Sequence, residues 1–294
     1  VLLVGDEGIF HEKIVNYDYS FANEDYFVEI DGDDFFPEMM VGRITNQNDY
    51  QLQVMVNKFM KYEKEPYTAN TEWFKKGICC SNNDYASQVY TKRFTANVMI
   101  TDGGFTSVDT LMSDGTWGSG CSMNVNDIKS ALNEGRSFLN YRGEGWDDGW
   151  HANCYEFLTS HVSSLNNGEK LTFVTSIGCG VAMFDTQWGN CFGEEWLQLG
   201  SIDAPRGAIA FVGPTSNTHS TYNNRIDKGI YVGMFQEGMD TPGQALLRGK
   251  LYVYNVFGDD PMVEYHYRVF CLLGDPSVHI WKDVPLEVNV SYPT

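Results

Sequence analysis

The sequence predicts an α/β fold built on a largely parallel sheet, and three observations carry that expectation. Short apolar runs alternate along the chain with segments of helical periodicity. Three of those runs, 137–141, 171–179 and 208–213, read as strands. Each ends in a glycine-bearing loop, as strands of an open α/β sheet do where they deliver ligand-binding loops.

The elements follow in order. Residues 1–5 (VLLVG) and 39–44 (MMVGRI) read as strands. Over 48–65, Leu52, Met55, Val56, Phe59 and Met60 recur at helical spacing, and Asn46 or Asn48 is placed to cap. Residues 73–81 (WFKKGICCS) read as a strand entering a polar turn. Residues 124–135 read as a helix with Asn caps and a closing Gly135. The loops Gly143–His151, Gly178–Phe184 and Gly213–Thr221 then converge on one crevice. Residues 223–236 read as a helix and 272–281 as a last turn and strand. Residues 285–292 alternate apolar and polar, unlike the earlier strands, and predict the start of a separate β domain. No internal repeat is present.

Composition narrows the function classes. At 294 residues and 43% hydrophobic, the chain can bury one large core or two small ones. A formal charge of −19 argues against a nucleic-acid partner, since phosphate binding wants a basic face. No apolar run approaches the roughly 20 residues that cross a bilayer. The chain opens without an initiator Met or a signal peptide, as a fragment or mature form would. Seven cysteines leave at least one free thiol, no CxxC spacing suggests zinc, and no organic cofactor is expected.

Cys179 is the strongest candidate for chemistry. It ends a buried strand between Gly178 and Gly180, where the backbone can turn sharply and present N–H groups to an anion. An inert core cysteine is the competing reading. Among acidic clusters, Asp31, Asp33 and Asp34 in 29–38 (EIDGDDFFPE) have a spacing that can wrap Ca²⁺ through oxygens; a solvated acidic turn competes. The segment 256–264 (VFGDDPMVE) carries the same ambiguity. Glu194 and Glu195 fit the first turn of a helix.

Several blocks in order carry a resemblance: FLNYRGEG, then LTFVTSIGCGVAMFD…CFGEEWL, then GAIAFVG, then LLGDPSVHIW, with VLLVGD and VGRI before them. Together they resemble the gingipain-type cysteine peptidases of the caspase-like group, which also holds legumain and clostripain. The resemblance implies a caspase-like α/β catalytic subdomain over 73–282. It would be preceded by the C-terminal part of a smaller α/β subdomain (1–72) and followed by the start of an Ig-like β-sandwich or a linker (283–294). It implies Cys179 as nucleophile and puts Glu144 where the family's loop histidine belongs, with Gly145 and Trp146 beside it. A carboxylate is a poor base toward a thiol and repels a thiolate. A relocated base is therefore expected: His151 on the same loop, or His219 after the next strand, with His151 preferred because two tryptophans in RGEGWDDGWH are costly to display without a binding purpose. Asp84 is the nearest acidic residue to the family's third position. Lys92 and Arg93 stand near where an acidic residue would select a basic P1 side chain, so an acidic or apolar P1 preference is equally expected.

The resulting expectation is a secreted or cell-surface cysteine endopeptidase acting on protein or peptide, with structural Ca²⁺ as a family property. The competing reading is a catalytically silent relative that binds peptide or assembles a surface complex. A processing or transpeptidase role in protein export is a third.

Overall fold

The computed structural model of the protein describes residues 1–17, 19–113, 123–153 and 155–286. Eight strands form one sheet in the spatial order Leu2–Val4, Gly42–Ile44, Phe270–Leu273, Ala208–Pro214, Thr172–Ile177, Phe138–Arg142, Lys76–Ser81, Ser107–Met112. Every neighbouring pair is parallel except Ala208–Pro214 with Phe270–Leu273. The central strand Thr172–Ile177 is buried at every position, which its unbroken apolar and small-polar sequence permits.

Alternation along Phe138–Arg142 sorts the two faces of the sheet. Asn140 and Arg142 point toward helices Ala86–Thr101 and Ser220–Gln236. Tyr141 points the other way and stacks on Trp150, with ring centroids 4.2 Å apart and planes 7° from parallel. Beneath the first helix pair lies a buried polar network. Lys92 pairs with Asp227 at 2.5 Å, both side chains fully buried, and also bonds Asn140. Asn140 in turn donates to Asp227 and to Thr175 Oγ1. Two strands and two helices are thereby tied together directly below the carboxyl ends of the strands.

Two expectations are corrected. The helix Asp49–Lys64 forms, capped by Asn48, but it buries Val54, Met55, Lys58, Phe59 and Tyr62, while Val56 and Met60 face solvent. The stripe is rotated because Lys58 goes inward and donates to the carbonyls of Trp196 and Leu197 at the end of helix Phe192–Gln198. Burial pulls its ammonium down to about 7. The last strand is Phe270–Leu273, before the Gly-Asp-Pro-Ser turn rather than after it. Val278 and Ile280 are apolar because they pack into the core, not because they pair in the sheet. At the Leu2–Val4 edge of the sheet, Gly42–Ile44 joins through Leu273↔Arg43. Only Leu3, Val28 and Val41 form a small cluster of their own at that edge. The β domain expected from 283 onward falls largely on residues 287–294, outside the described residues, as do Cys121 and Cys154.

Candidate active site

Parallel register brings the strand ends level: Ser81 and Ile177 both pair with Arg142. The chain then leaves Thr172–Ile177 through Gly178, and Cys179 sits at the rim of the sheet, partly exposed. Gly180 follows at φ +64°, a left-handed conformation that glycine adopts without strain. The turn is closed by Gly180 N–H donating to Ser216 O at 3.0 Å. This sets Cys179 against the loop after the next strand, where Thr218 N–H donates to Sγ at 3.3 Å and Thr218 Oγ1 lies 3.7 Å away. Asn223 holds that hydroxyl from the helix behind, at 2.7 Å. Among the described residues Thr218 is the hydrogen-bond partner of the thiol.

Cys179 opens on two cavities. One, of about 340 Å³, is lined by Asp84, Tyr85, Gln88, Arg142, Gly143, Glu144, Thr218, Ser220 and Asn223. The other, of about 280 Å³, is aromatic: Tyr17, Tyr19, Met262 and Tyr265 line it with Asn217, Thr218 and His219. Cavities of about 330 and 390 Å³ elsewhere share no residue with this crevice. The three expected loops thus meet, and the loop after Lys76–Ser81 joins them through Asp84. Lys92, buried against Asp227, lines neither cavity at Cys179.

The loop 143–158 is a meander: Gly145–Trp146, Gly149–Ala152 and Tyr155–Leu158 form a small antiparallel sheet. Trp150 anchors it, fully buried on Tyr141, its indole N–H donating to Ser176 Oγ at 2.8 Å. Gly145 lies so close to the nucleophile turn that a Cβ there would meet Val181 Cγ1 at 2.7 Å and Cys179 O at 3.1 Å. Trp146 is 52% exposed beside Gly180. Glu144 is exposed at the tip, its carbonyl held by Tyr141 OH at 2.6 Å.

His151 does not come to the thiol. Successive residues of a strand face opposite ways, and with Trp150 inward its imidazole turns outward. There Nε2 lies 2.7 Å from Asp148 Oδ1 and Nδ1 3.4 Å from Glu156 Oε1. His151 lines neither cavity that opens on Cys179. The tryptophan count that favoured it misled, since Trp150 is a core residue and only Trp146 is displayed. His219 is the histidine that shares a cavity with Cys179.

Sequence reasoning missed two residues here. Arg142, 2% exposed, stands on the cavity floor. His266 is fully buried behind His219: its Nδ1 meets Met262 O at 2.6 Å, and its Nε2 accepts the His219 N–H at 3.0 Å. Burial pushes the His266 imidazole down to about 3 from its ordinary 6.5. An unfolded chain therefore takes up a proton between those values that the folded one refuses, so stability is lost as pH falls through that window. Urea unfolding should show the wild type losing stability relative to His266→Gln from pH 6.5 downward, by up to about 1.4 kcal/mol per pH unit. Parallel curves would contradict this.

Several carboxylates of the acidic clusters have partners within the fold. Glu38 accepts the N–H groups of Ile30 and Asp31, Asp34 accepts that of Phe36, and Glu29 pairs with Arg268. Among the described residues no three His, Cys, Asp or Glu side chains gather closely enough to hold a metal ion by themselves. Asp260 caps helix Pro261–Val269, and Glu194 caps helix Phe192–Gln198 through the Cys191 N–H.

Comparison with known proteins agrees with this fold. Among solved structures, the Arg-specific cysteine proteinase gingipain R superposes with a TM-score of 0.87 over 99% of this chain and 66% of its own, at 22% identity. Gingipain R2 of Porphyromonas gingivalis is 23% identical over 306 residues, covering all of this chain and 39% of that protein. Lys-gingipain W83 of the same organism is 27% identical over 91% of this chain and 16% of its own length. The chain thus spans less than half the length of these curated relatives. Among the described residues, no helix is long and apolar enough to cross a membrane. The model of peptidase family C25, a family of cysteine peptidases, matches residues 1–281, and the chain belongs to that family.

Proposed function

We propose that this chain is a cysteine endopeptidase domain in which Cys179 is the nucleophile and His219, not His151, moves the proton. One observation carries the reading: Cys179 and His219 line the same cavity at the carboxyl ends of the strands, while His151 is held elsewhere by two carboxylates. In the reaction, Cys179 Sγ attacks the scissile carbonyl and the imidazole of His219 takes the thiol proton, then returns it to the leaving amine. The Cys179 N–H, which has no backbone acceptor among the described residues, would with an N–H near Gly145 receive the developing oxyanion. Thr218 holds the sulfur in line. Protein or peptide is the substrate class that the family supports. A location outside the cell or at its surface rests on the family resemblance.

A peptidyl acyloxymethyl ketone tests the nucleophile. Mass spectrometry should find one adduct per chain near neutral pH, at Cys179, and none in Cys179→Ala. The buried Cys79, Cys80, Cys191 and Cys271 should stay unmodified, because burial raises each of their thiols above its ordinary range. A folded sample that takes no label at Cys179 would overturn the reading in favour of a silent relative.

A further inference from the structure

Arg142 is out of keeping with the chain's other buried cations. Arg43 pairs with Glu24, Lys92 with Asp227 and Lys250 with Asp25. Buried Lys58 has only carbonyl acceptors, but a lysine can shed its proton. Arginine cannot. The Arg142 guanidinium nonetheless has no carboxylate within ion-pair distance among the described residues. Its Nε donates to Asn224 Oδ1 at 2.9 Å, and its other contacts are carbonyls at the long end of hydrogen bonding: Gly143 O at 3.4 Å, Ile177 O and Ser220 O at 3.3 Å each. Asp227 acts on it from a distance, but that carboxylate is already committed to Lys92 and Asn140. A buried charge without a counter-ion is costly, and this one forms part of the wall of the cavity of about 340 Å³ into which Cys179 also projects.

The rest of that wall suits a polar guest. Gln88 and Asn223 are buried amides, and Ser220 and Thr218 add hydroxyls. Two carboxylates also line it, Asp84 and Glu144, but both are exposed and stand at its mouth, in water. The cavity is thus cationic at its floor and acidic at its rim.

Resting on the peptidase reading above, we propose that this cavity takes the carboxylate of a substrate residue, with Arg142 as the specificity-determining anchor. The chemistry fits either an Asp or Glu side chain or a C-terminal carboxylate, each received by the guanidinium. The guest supplies the counter-ion that the fold omits. Asp84 and Glu144 oppose its entry by like charge, a penalty that water at the mouth screens.

Binding to Cys179→Ala tests this independently of turnover. Fluorescent peptides whose acyl-side residue is Asp, Glu, Asn, Gln, Arg or Phe, each with a free or amidated C-terminus, are titrated against it. Acidic side chains should bind about 10- to 100-fold tighter than their amides, the usual scale for hydrogen bonds to a charged group. If only the free C-terminus confers the gain, the terminal carboxylate is the guest. Adding Arg142→Gln should abolish the acid–amide difference while leaving binding of the Phe peptide in place. Adding Arg142→Lys should keep part of it, and Glu144→Gln should raise acidic-peptide affinity severalfold. No acid–amide difference in the parent, or equal loss for every peptide in a variant that melts like the parent, would overturn the proposal. Labelling of Cys179 by an uncharged warhead settles the peptidase reading separately.

Discussion

His219→Ala is expected to lower peptide hydrolysis by about 10²- to 10⁴-fold, the usual contribution of a positioned acid–base group. His151→Ala should stay within a few-fold of wild type. The two variants differ because the structure treats the histidines differently. His219 stands on the loop that also gives Thr218 to the thiol, and it shares a cavity with Cys179. His151 lies between Asp148 and Glu156 on the outward face of the meander. The measurement is kcat/KM against pH for both variants and the wild type. A large loss in His151→Ala with an intact His219→Ala would reverse the assignment and require the meander to rearrange when substrate binds.

The largest stability effect is expected at Lys92. Lys92→Met leaves Asp227 fully buried without its cation and should cost about 3–5 kcal/mol, the usual result of removing one partner of a buried pair. The double change Lys92→Met with Asp227→Leu should recover much of that, because an apolar pair of similar volume carries no uncompensated charge. Urea midpoints at pH 7 measure both. A double variant no more stable than the single one would mean that the bonds from Asn140 to Asp227 matter more than the ion pair. The same network holds the strand that ends in Arg142, so the single variant should also weaken peptide binding at the crevice.

Much of the frame was legible in the sequence. The strands at 76–81, 138–142, 172–177 and 208–214 and the helices at 49–64, 125–134 and 220–236 follow from apolar runs, periodicity and caps. Helices Ala86–Thr101, Pro242–Phe257 and Pro261–Val269 went unassigned, the first because its inward face carries Gln88, Thr91, Lys92 and Thr95, a polar stripe that meets the buried network. The second did carry a readable start, Thr241-Pro242-Gly243-Gln244, with the Thr241 hydroxyl and the Gln244 side chain capping reciprocally. The crevice was legible as a convergence of loops, and Cys179 as its thiol. The choice between histidines was not, because it depends on strand phase. Whether position 150 or 151 faces inward cannot be read from GWDDGWHA, where the turn between the first two strands of the meander is hidden among Asp and Gly. Arg142 was invisible for the opposite reason: an arginine beside a glycine turn looks like a solvated end of a strand, and only the structure shows what closes over it.

The Tyr141–Trp150 stack and the Trp150–Ser176 bond have a consequence for how this loop tolerates substitution. They fix the path of the turn from beneath, through residues on either side of position 144, so the backbone there does not depend on which side chain it carries. Glu144 is exposed and held through its carbonyl. Exchanging Glu for His at this tip is then expected to cost the fold little. A histidine introduced there would meet the same scaffold and the same thiol.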